Sequence, residues 1–530
     1  MHLEIALMTR ISDAETQELI SRQYPWFEMS PSVLSANGHT GVPYNVLATT
    51  RIFITHESLR PLATRLAQGL VGAAELTTPP AILLMSGSPG QAGPGDVELR
   101  LEAPDTTGVV IPVHGEPEKC RIDITAFIRV AASSLTAMAR ALTTLHKAVR
   151  ISTELTRCTV IDAPAFAERS VMIDMGRRQF TPDWVICLIQ EMAWNQLNTL
   201  HLHLTDNEGV RIIFPSHPGL SSSDAWSAAD LKRVLDTAAS YYVQVIPELD
   251  MPGHMDWILR NRSELQLRLS TGTVVSKALD FSLAAAREFM KTLFSDLMNL
   301  FPDSRYIHLG ADEYFLSPIT PANTPQLATY ARAASGNPNA TSEDAVRYFV
   351  NDVANLIKEK GKIARVWNDG AVQKVQQITL DKQVQIECWS IWGSVRGNLN
   401  VEDLVDSGYS VINAHGDFYF IVNLTWDNLF HAQHSPHGIH DVWRPNRFMD
   451  EAGSKYTEIA MGHPAMVGGG IQLWIERPTF SSPEEMWTQL KSWLLPLGQR
   501  TWGSPHAVER FKELPVLSRV VQSPPPIPWW

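Results

Sequence analysis

From about residue 168 onward the chain alternates between two rhythms. Short apolar runs of β type occupy residues 170–175, 199–204, 243–249, 306–309, 362–367, 384–389, 409–414 and 469–474. Between them lie longer stretches with apolar residues at helical spacing, such as 182–195, 228–242, 283–301 and 342–360. Strand-length and helix-length runs in alternation imply crossover connections and a parallel sheet. Eight strands in this rhythm predict an α/β fold, a (β/α)8 TIM barrel with insertions. The rival is a doubly wound open sheet, which finds no Gly-rich nucleotide fingerprint in this chain.

The first 165 residues follow a different pattern and predict a smaller α+β domain before the barrel. Residues 46–55 and 96–101 are strand-like, and Gly87 to Gly95 (Gly-Ser-Pro-Gly-Gln-Ala-Gly-Pro-Gly) is a turn-rich loop. Residues 125–149 predict a helix from Ala and Leu at helical spacing. The expected organisation is an accessory domain at 1–165, a catalytic barrel at 166–503 and a Pro-rich tail at 504–530, which ends in Ser-Pro-Pro-Pro-Ile-Pro-Trp-Trp.

Composition narrows the possible partners. With 44% apolar and 19% charged residues among 530, the chain can bury a large core. A net charge of -12 without a long basic run argues against nucleic acid or an anionic membrane as partner. The early acid Glu4 and the short apolar run at the N-terminus do not make a signal peptide, and no stretch approaches a membrane span. A cytoplasmic location is therefore expected. Cys120, Cys158, Cys187 and Cys388 form no CxxC pair and read as buried free thiols. The 16 Trp are compatible with core filling, but a wide indole also covers the apolar face of a pyranose.

A barrel works at the carboxyl ends of its strands, and polar residues gather there. The runs lead into Asp174 and Arg177, His201-Leu-His203 with Asp206, Glu248 with Asp250 and His254, and His308 with Asp312 and Glu313. Later runs lead into Trp367-Asn-Asp369, Glu387-Cys-Trp389, His415 with Asp417 and Tyr419, and Trp474 with Glu476. Adjacent carboxylates at 312 and 313 repel each other unless compensated, a feature commoner at working sites than elsewhere. Three readings compete on these residues alone. One is carboxylate chemistry at 312 and 313. A second is a metal-dependent hydrolase, with His201 and His203 as the metal pair and His254, His308 and Asp312 completing the site. The third is a sugar-binding barrel without catalysis.

The first reading gains weight from a resemblance. His308-Leu-Gly-Ala-Asp312-Glu313 resembles the His-x-Gly-Gly-Asp-Glu signature of glycoside hydrolase family 20, the β-N-acetylhexosaminidases and lacto-N-biosidases. The segments Asp174-Met-Gly-Arg177, Asn198 to Arg211, Pro247 to His254 and Gly469 to Glu476 are similar to the family's other strand ends, in the same order. The resemblance implies retaining hydrolysis assisted by the substrate's own 2-acetamido group, an exception to the two-carboxylate scheme. It implies Glu313 as acid/base and Asp312 as the residue orienting the acetamido group. Asp206, Asp250, His254 and Tyr419 are implied as catalytic support. Arg177, His308, Trp367, Trp389, Trp474 and Glu476 are implied as substrate-binding, with no cofactor and no metal. The partner would be an oligosaccharide or glycoconjugate ending in β-linked N-acetylhexosamine, GlcNAc or GalNAc. On this scheme Glu313 should have a raised pKa and Asp312 should stay ionised. The chain departs from the usual pattern at Ala311, a common Gly, and at Phe420-Ile421, where many hexosaminidases carry Leu-Asp. The second departure leaves open a lacto-N-biosidase, which would release a disaccharide.

Overall fold

The computed structural model describes residues 29–85, 91–389, 399–414, 420–422, 443–449, 456–476 and 482–503, with Trp26, Gly397, Ile439 and Thr479 besides. The chain divides into two compact units. One holds residues up to 167 with 194–196 and those from 498 on, and the other holds 168–193 and 197–497.

The second unit is a closed barrel of eight parallel strands. They are β1 (Glu168–Asp174), β2 (Thr199–His203), β3 (Gln244–Met251), β4 (Tyr306–Gly310), β5 (Ile363–Trp367), β6 (Gln385–Cys388), β7 (Val411–Asn413) and β8 (Met466–Trp474). Each pairs with the next, and β8 closes on β1 through Glu168↔Gly468 to Ile173↔Leu473. A ninth strand, Phe420–Val422, pairs parallel with the carboxyl end of β8, with Val422 opposite Trp474. The eight expected runs are the eight barrel strands. Helices Pro182–Trp194, Ala228–Ser240, Ala284–Leu300 and Ser342–Glu359 fall where helical spacing placed them. The last starts cleanly because Thr341 and Asp344 form a reciprocal capping box.

Alternation along the strands creates two different layers. The outward set, including Val171, Ile173, Leu200, Leu202, Ile307, Leu309, Val366 and Ile386, is buried in the main apolar core of this unit. Burying each such side chain contributes about 1.5–3 kcal/mol. The inward set is charged where branched apolar layers usually fill a barrel. Glu168, His201, His203, Glu248, His308, Arg365 and Glu387 are all buried, none more than 4% exposed.

The first unit is built on a seven-stranded mixed sheet. Its order is 35–38, 158–162, 120–124, 128–132, 97–101, 51–54 and 81–84. Helices Arg60–Ala73 and Leu135–Ile151 pack on each other and against its strands. The helix expected over 125–149 is a strand, Ile128–Ala132, followed by a helix that begins at Leu135. Ser134 separates them by accepting the Ala137 N–H as an N-cap. Residues 86–90 of the Gly-rich loop and the tail at 504–530 lie outside the described residues. No helix among the described residues is long and apolar enough to cross a membrane.

Candidate active site

The strand ends assemble one connected cluster at the carboxyl face of the barrel. Its base is the charged interior. Arg365 on β5 makes a two-pronged ion pair across the barrel with Glu168 on β1, both bonds 2.8 Å. Above it, Glu248 on β3 is a hub. Its Oε2 lies 2.7 Å from His203 Nδ1 and 2.9 Å from His201 Nε2, and its Oε1 accepts the Trp367 indole N–H at 2.8 Å. Burial opposes charge on His201, but Glu248 and Glu387 overcome it and lift its pKa to about 9. Burial likewise opposes charge on His203, which Glu248 and Asp206 hold well above the usual range.

His203 then leads upward. Its Nε2 is 2.9 Å from Asp206 Oδ2, while Asp206 Oδ1 is 3.2 Å from His254 Nδ1. His254 Nε2 faces both members of the central pair, 3.6 Å from Asp312 Oδ2 and 3.5 Å from Glu313 Oε2. Burial lowers the His254 pKa, but Asp312 and Asp206 outweigh it and keep the imidazole protonated well above its usual range. Asp206 is driven the other way: burial raises it, and His254, His203 and Arg177 hold it well below the usual carboxylate range.

The two adjacent carboxylates occupy unlike places. Asp312 is buried, and its Oδ1 has no hydrogen-bond partner. The Glu313 side chain is 34% exposed. Oxygens of the two carboxylates and a nitrogen of His254 lie within 4.8 Å of one another. The turn carrying them is left-handed, with φ of 71° at Gly310, 72° at Ala311 and 49° at Glu313. For Ala and Glu this conformation costs roughly 1–2 kcal/mol each, a strain typical of working sites. Asp250 lies against this turn. A Cβ on Gly310 would come within 1.7 Å of Asp250 Oδ1, so only glycine fits. Neither Asp250 carboxyl oxygen has a hydrogen-bond partner, and burial, with Asp312 adding to it, pushes its pKa well above the usual range.

The expected pKa order of the pair is reversed in this structure. Burial raises Glu313, but the hydrogen bond and charge of His254, with Arg177 and Lys277, hold it below the ordinary glutamate range. Burial, with Glu313 adding to it, raises Asp312 above the ordinary aspartate range against the pull of His254. The reason is exposure: both face the imidazolium, but Glu313 also reaches water, while Asp312 is enclosed.

Arg177 joins the cluster through Asp174 and Asp206. Its backbone N–H and Nη1 donate to Asp174 at 3.0 and 2.9 Å, and its Nη2 is 3.1 Å from Asp206. Its guanidinium lies over the Trp474 ring at 5.3 Å. Glu476 and Glu208, each nearly half exposed, flank it at 3.7 and 3.9 Å. Trp474 and Trp367 pack together with Met172 and Ala414, and the partly buried Trp389 lies against them. Two of the implied substrate contacts lie in the buried layer. His308 and Trp367 are fully buried, because their inward side chains belong to the layer beneath the cluster. Tyr419 lies outside the described residues, as do His415 and Asp417, and of Phe420 and Ile421 only the backbone is described.

Sequence reasoning named Asp369 as a strand-end residue without a role. Its carboxylate accepts the Glu313 backbone N–H and the Trp389 indole N–H, each at 3.0 Å. Burial, with Asp312 and Glu313, raises its pKa to about 7. Glu248, Glu387 and Glu208 likewise stand at strand ends without an assigned role. The signal for Glu248 was available, since a charge inside an otherwise apolar strand requires a partner.

Several of these clusters have the residue types of a metal site, including His201–Glu248–His308 and His254–Asp312–Glu313. Both nitrogens of His203 face carboxylates, and His254 lies between Asp206 and the pair at 312 and 313.

A family model described as glycosyl hydrolase family 20, catalytic domain, matches residues 166–502. The chain is 28% identical to a lacto-N-biosidase from Bifidobacterium bifidum over 347 residues, 65% of this chain and 29% of that protein. It is 29% identical to a β-N-acetylhexosaminidase from Cellulomonas fimi over 285 residues, 50% of this chain and 51% of that protein. It thus spans about half or less of the length of these relatives. In fold it is similar to a β-N-acetylhexosaminidase from Bacteroides fragilis, with a TM-score of 0.71 at 20% identity, covering 93% of this chain and 94% of that one. A β-N-acetylhexosaminidase from Streptomyces coelicolor gives 0.69 at 20% identity, covering 96% and 99%. With the family model covering well over half of its length, and the strand-end cluster lying within the matched residues, the chain belongs to glycosyl hydrolase family 20.

Proposed function

We propose that this protein is a retaining exo-glycosidase that removes terminal β-linked N-acetylhexosamine, with the substrate's acetamido oxygen as nucleophile. The observation that carries this reading is the unlike pairing at 312 and 313. A conventional retaining enzyme places its acid and nucleophile about 5–5.5 Å apart across the anomeric centre. Here both carboxylates come from one turn and face one imidazolium, with oxygens within 4.8 Å. They are poorly disposed to flank a sugar ring from opposite faces.

Substrate assistance divides the work differently. Glu313, reaching the open side, donates a proton to the leaving oxygen. The acetamido oxygen attacks the anomeric carbon, the glycosidic bond breaks and an oxazolinium forms. Water, deprotonated by Glu313, then opens it with overall retention. Asp312 has a buried, unpartnered Oδ1 that suits acceptance of the acetamido N–H and stabilisation of the positive charge arising there. The low Glu313 pKa is compatible with this role. A pyranose covering its exposed third would remove water from the carboxyl and raise it. Arg177, held on Asp174 and Asp206, retains N–H donors for sugar hydroxyls, with Glu476 beside it as an acceptor. Trp474 and Trp389 offer apolar surface for the pyranose and the acetamido methyl group. Tyr419 is assigned to the acetamido carbonyl from the family resemblance alone.

A second reading, release of a lacto-N-biose disaccharide by the same chemistry, is favoured by two observations. One is the likeness to the Bifidobacterium lacto-N-biosidase. The other is Phe420-Ile421 in place of Leu-Asp, on a strand that ends beside Trp474. Turnover of aryl GlcNAc, aryl GalNAc and aryl lacto-N-bioside decides between them. Hydrolysis of the disaccharide alone replaces the first reading with the second, and hydrolysis of none overturns both. Turnover that is lost on exhaustive chelation and restored by a metal ion would favour the metal-dependent hydrolase instead.

A further inference from the structure

We propose that Asp369 is a positioning residue for this reaction, holding the acid/base Glu313 and the pocket indole Trp389 on the two oxygens of one carboxylate. The inference rests on the reading of the site given under Proposed function and adds a residue to it. Asp369 sits on the short helical turn Asn368–Ala371 that follows β5. Its Oδ2 accepts the backbone N–H of Glu313 and its Oδ1 accepts Trp389 Nε1–H, both at 3.0 Å. Glu313 has a left-handed backbone, which persists only where its surroundings impose it. A hydrogen bond from its N–H to a buried carboxyl is such a constraint.

The rest of the turn supports the same task. A Cβ on Gly370 would lie 1.9 Å from the Ala311 carbonyl oxygen, so the turn is pressed onto the loop bearing Asp312 and Glu313. Asn368 Oδ1 accepts the Trp389 backbone N–H at 3.0 Å, fixing the same tryptophan from its main chain. The exit of β5 therefore braces both the acid, on the loop after β4, and the indole, after β6. An acid set against the leaving oxygen and a wall set against the acetamido group must keep a fixed separation, because proton donation and acetamido attack act on one anomeric carbon. A carboxylate with both oxygens engaged is suited to hold that separation. An amide is not, since only one of its two polar atoms accepts a hydrogen bond.

The test is steady-state kinetics of Asp369→Asn, Trp389→Phe and the double variant on N-acetylhexosaminides with poor and with activated leaving groups. Asp369→Asn is expected to lower kcat about 10- to 100-fold, with KM within about threefold and the melting temperature little changed. Trp389→Phe keeps an aromatic wall but removes the indole N–H. It should lower kcat more for poor leaving groups than for activated ones, because it disturbs the acid through Asp369. The double variant should lose little more than Asp369→Asn alone. Near-normal kcat in Asp369→Asn, or losses that multiply in the double variant, would overturn the proposal. If Asp369→Asn does not fold, Trp389→Phe decides, and an equal loss across leaving groups overturns it. A wild-type protein inactive on every N-acetylhexosaminide would strike the functional reading instead, whereas an active one with unaffected variants strikes this proposal alone.

Discussion

The barrel interior and its carboxyl rim are built from the same residue types, yet they are suited to different work. In the interior, Glu248 and Arg365 are sealed from water and each faces opposite charge or hydrogen-bond partners, although Arg365 Nε has none. At the rim, Asp312 keeps an oxygen without a partner, Glu313 is one-third exposed and His254 is shared between them. Charged residues in a barrel strand are thus not by themselves a site. A site requires that the surroundings leave part of their bonding capacity unused and open to a ligand.

The comparison breaks if rim and interior variants fail in the same way. At the rim, Glu313→Gln should lower kcat on a glycoside with a poor leaving group by about 10²–10⁴-fold, while an activated aryl glycoside is largely spared. Asp312→Asn should lose on the order of 10²–10³-fold on both substrates, because it weakens the nucleophile rather than the leaving group. Neither should move the melting temperature much. If Asp312→Asn kept near-normal rates, substrate assistance would be the wrong mechanism. In the interior, Arg365→Met should destabilise the fold by about 3–5 kcal/mol, since it leaves Glu168 buried without its pair. Denaturant unfolding measures this, and a loss of activity without loss of stability would place Arg365 with the catalytic groups.

The distinction also marks how far the sequence could be read. All eight barrel strands were legible because outward apolar residues recur every second position and the turns between elements are polar. The rim was legible because its residues stand at strand ends in a recognisable order. The interior was not: periodicity puts His201 and His203 on one face of their strand, but does not show that both meet Glu248 on the neighbouring strand. Asp369 was hidden for a related reason. Its two partners lie 56 and 20 residues away, on the loops after neighbouring strands. The misread helix at 125–149 failed locally. Ile128–Ala132 supplies apolar residues that fit either period, and Ser134, the N-cap that divides strand from helix, stands inside the same run. The reversed pKa order of Asp312 and Glu313 depends on which of two neighbours is enclosed, and adjacency in sequence carries no information about that.

His254 touches both regions, through Asp206 to the interior and directly to the rim pair, so it sharpens the comparison by pH. Its positive charge favours ionised Glu313 and so lowers that pKa. Replacing it in His254→Gln removes the charge, the Glu313 pKa rises, and the protonated acid persists to higher pH. The alkaline limb of kcat/KM should therefore shift upward, even as the maximum falls. A limb that stays in place or shifts downward would mean that another group sets it.

The smallest expected effect belongs to Glu476, at the outermost edge of the rim. Its carboxylate lies 3.7 Å from Arg177 with 43% of the side chain exposed, and burial raises its pKa although Arg177 opposes this. An exposed ion pair contributes little to stability, so Glu476→Gln should leave the melting temperature unchanged. The amide oxygen still accepts a hydrogen bond, but the charge that strengthens it is gone. If Glu476 takes a sugar hydroxyl in ground and transition states alike, KM should rise about three- to tenfold with kcat nearly constant. A fall in kcat at unchanged KM would instead place Glu476 among the groups that act only as the glycosidic bond breaks. The graded difference between rim and interior would then extend to the mouth of the barrel.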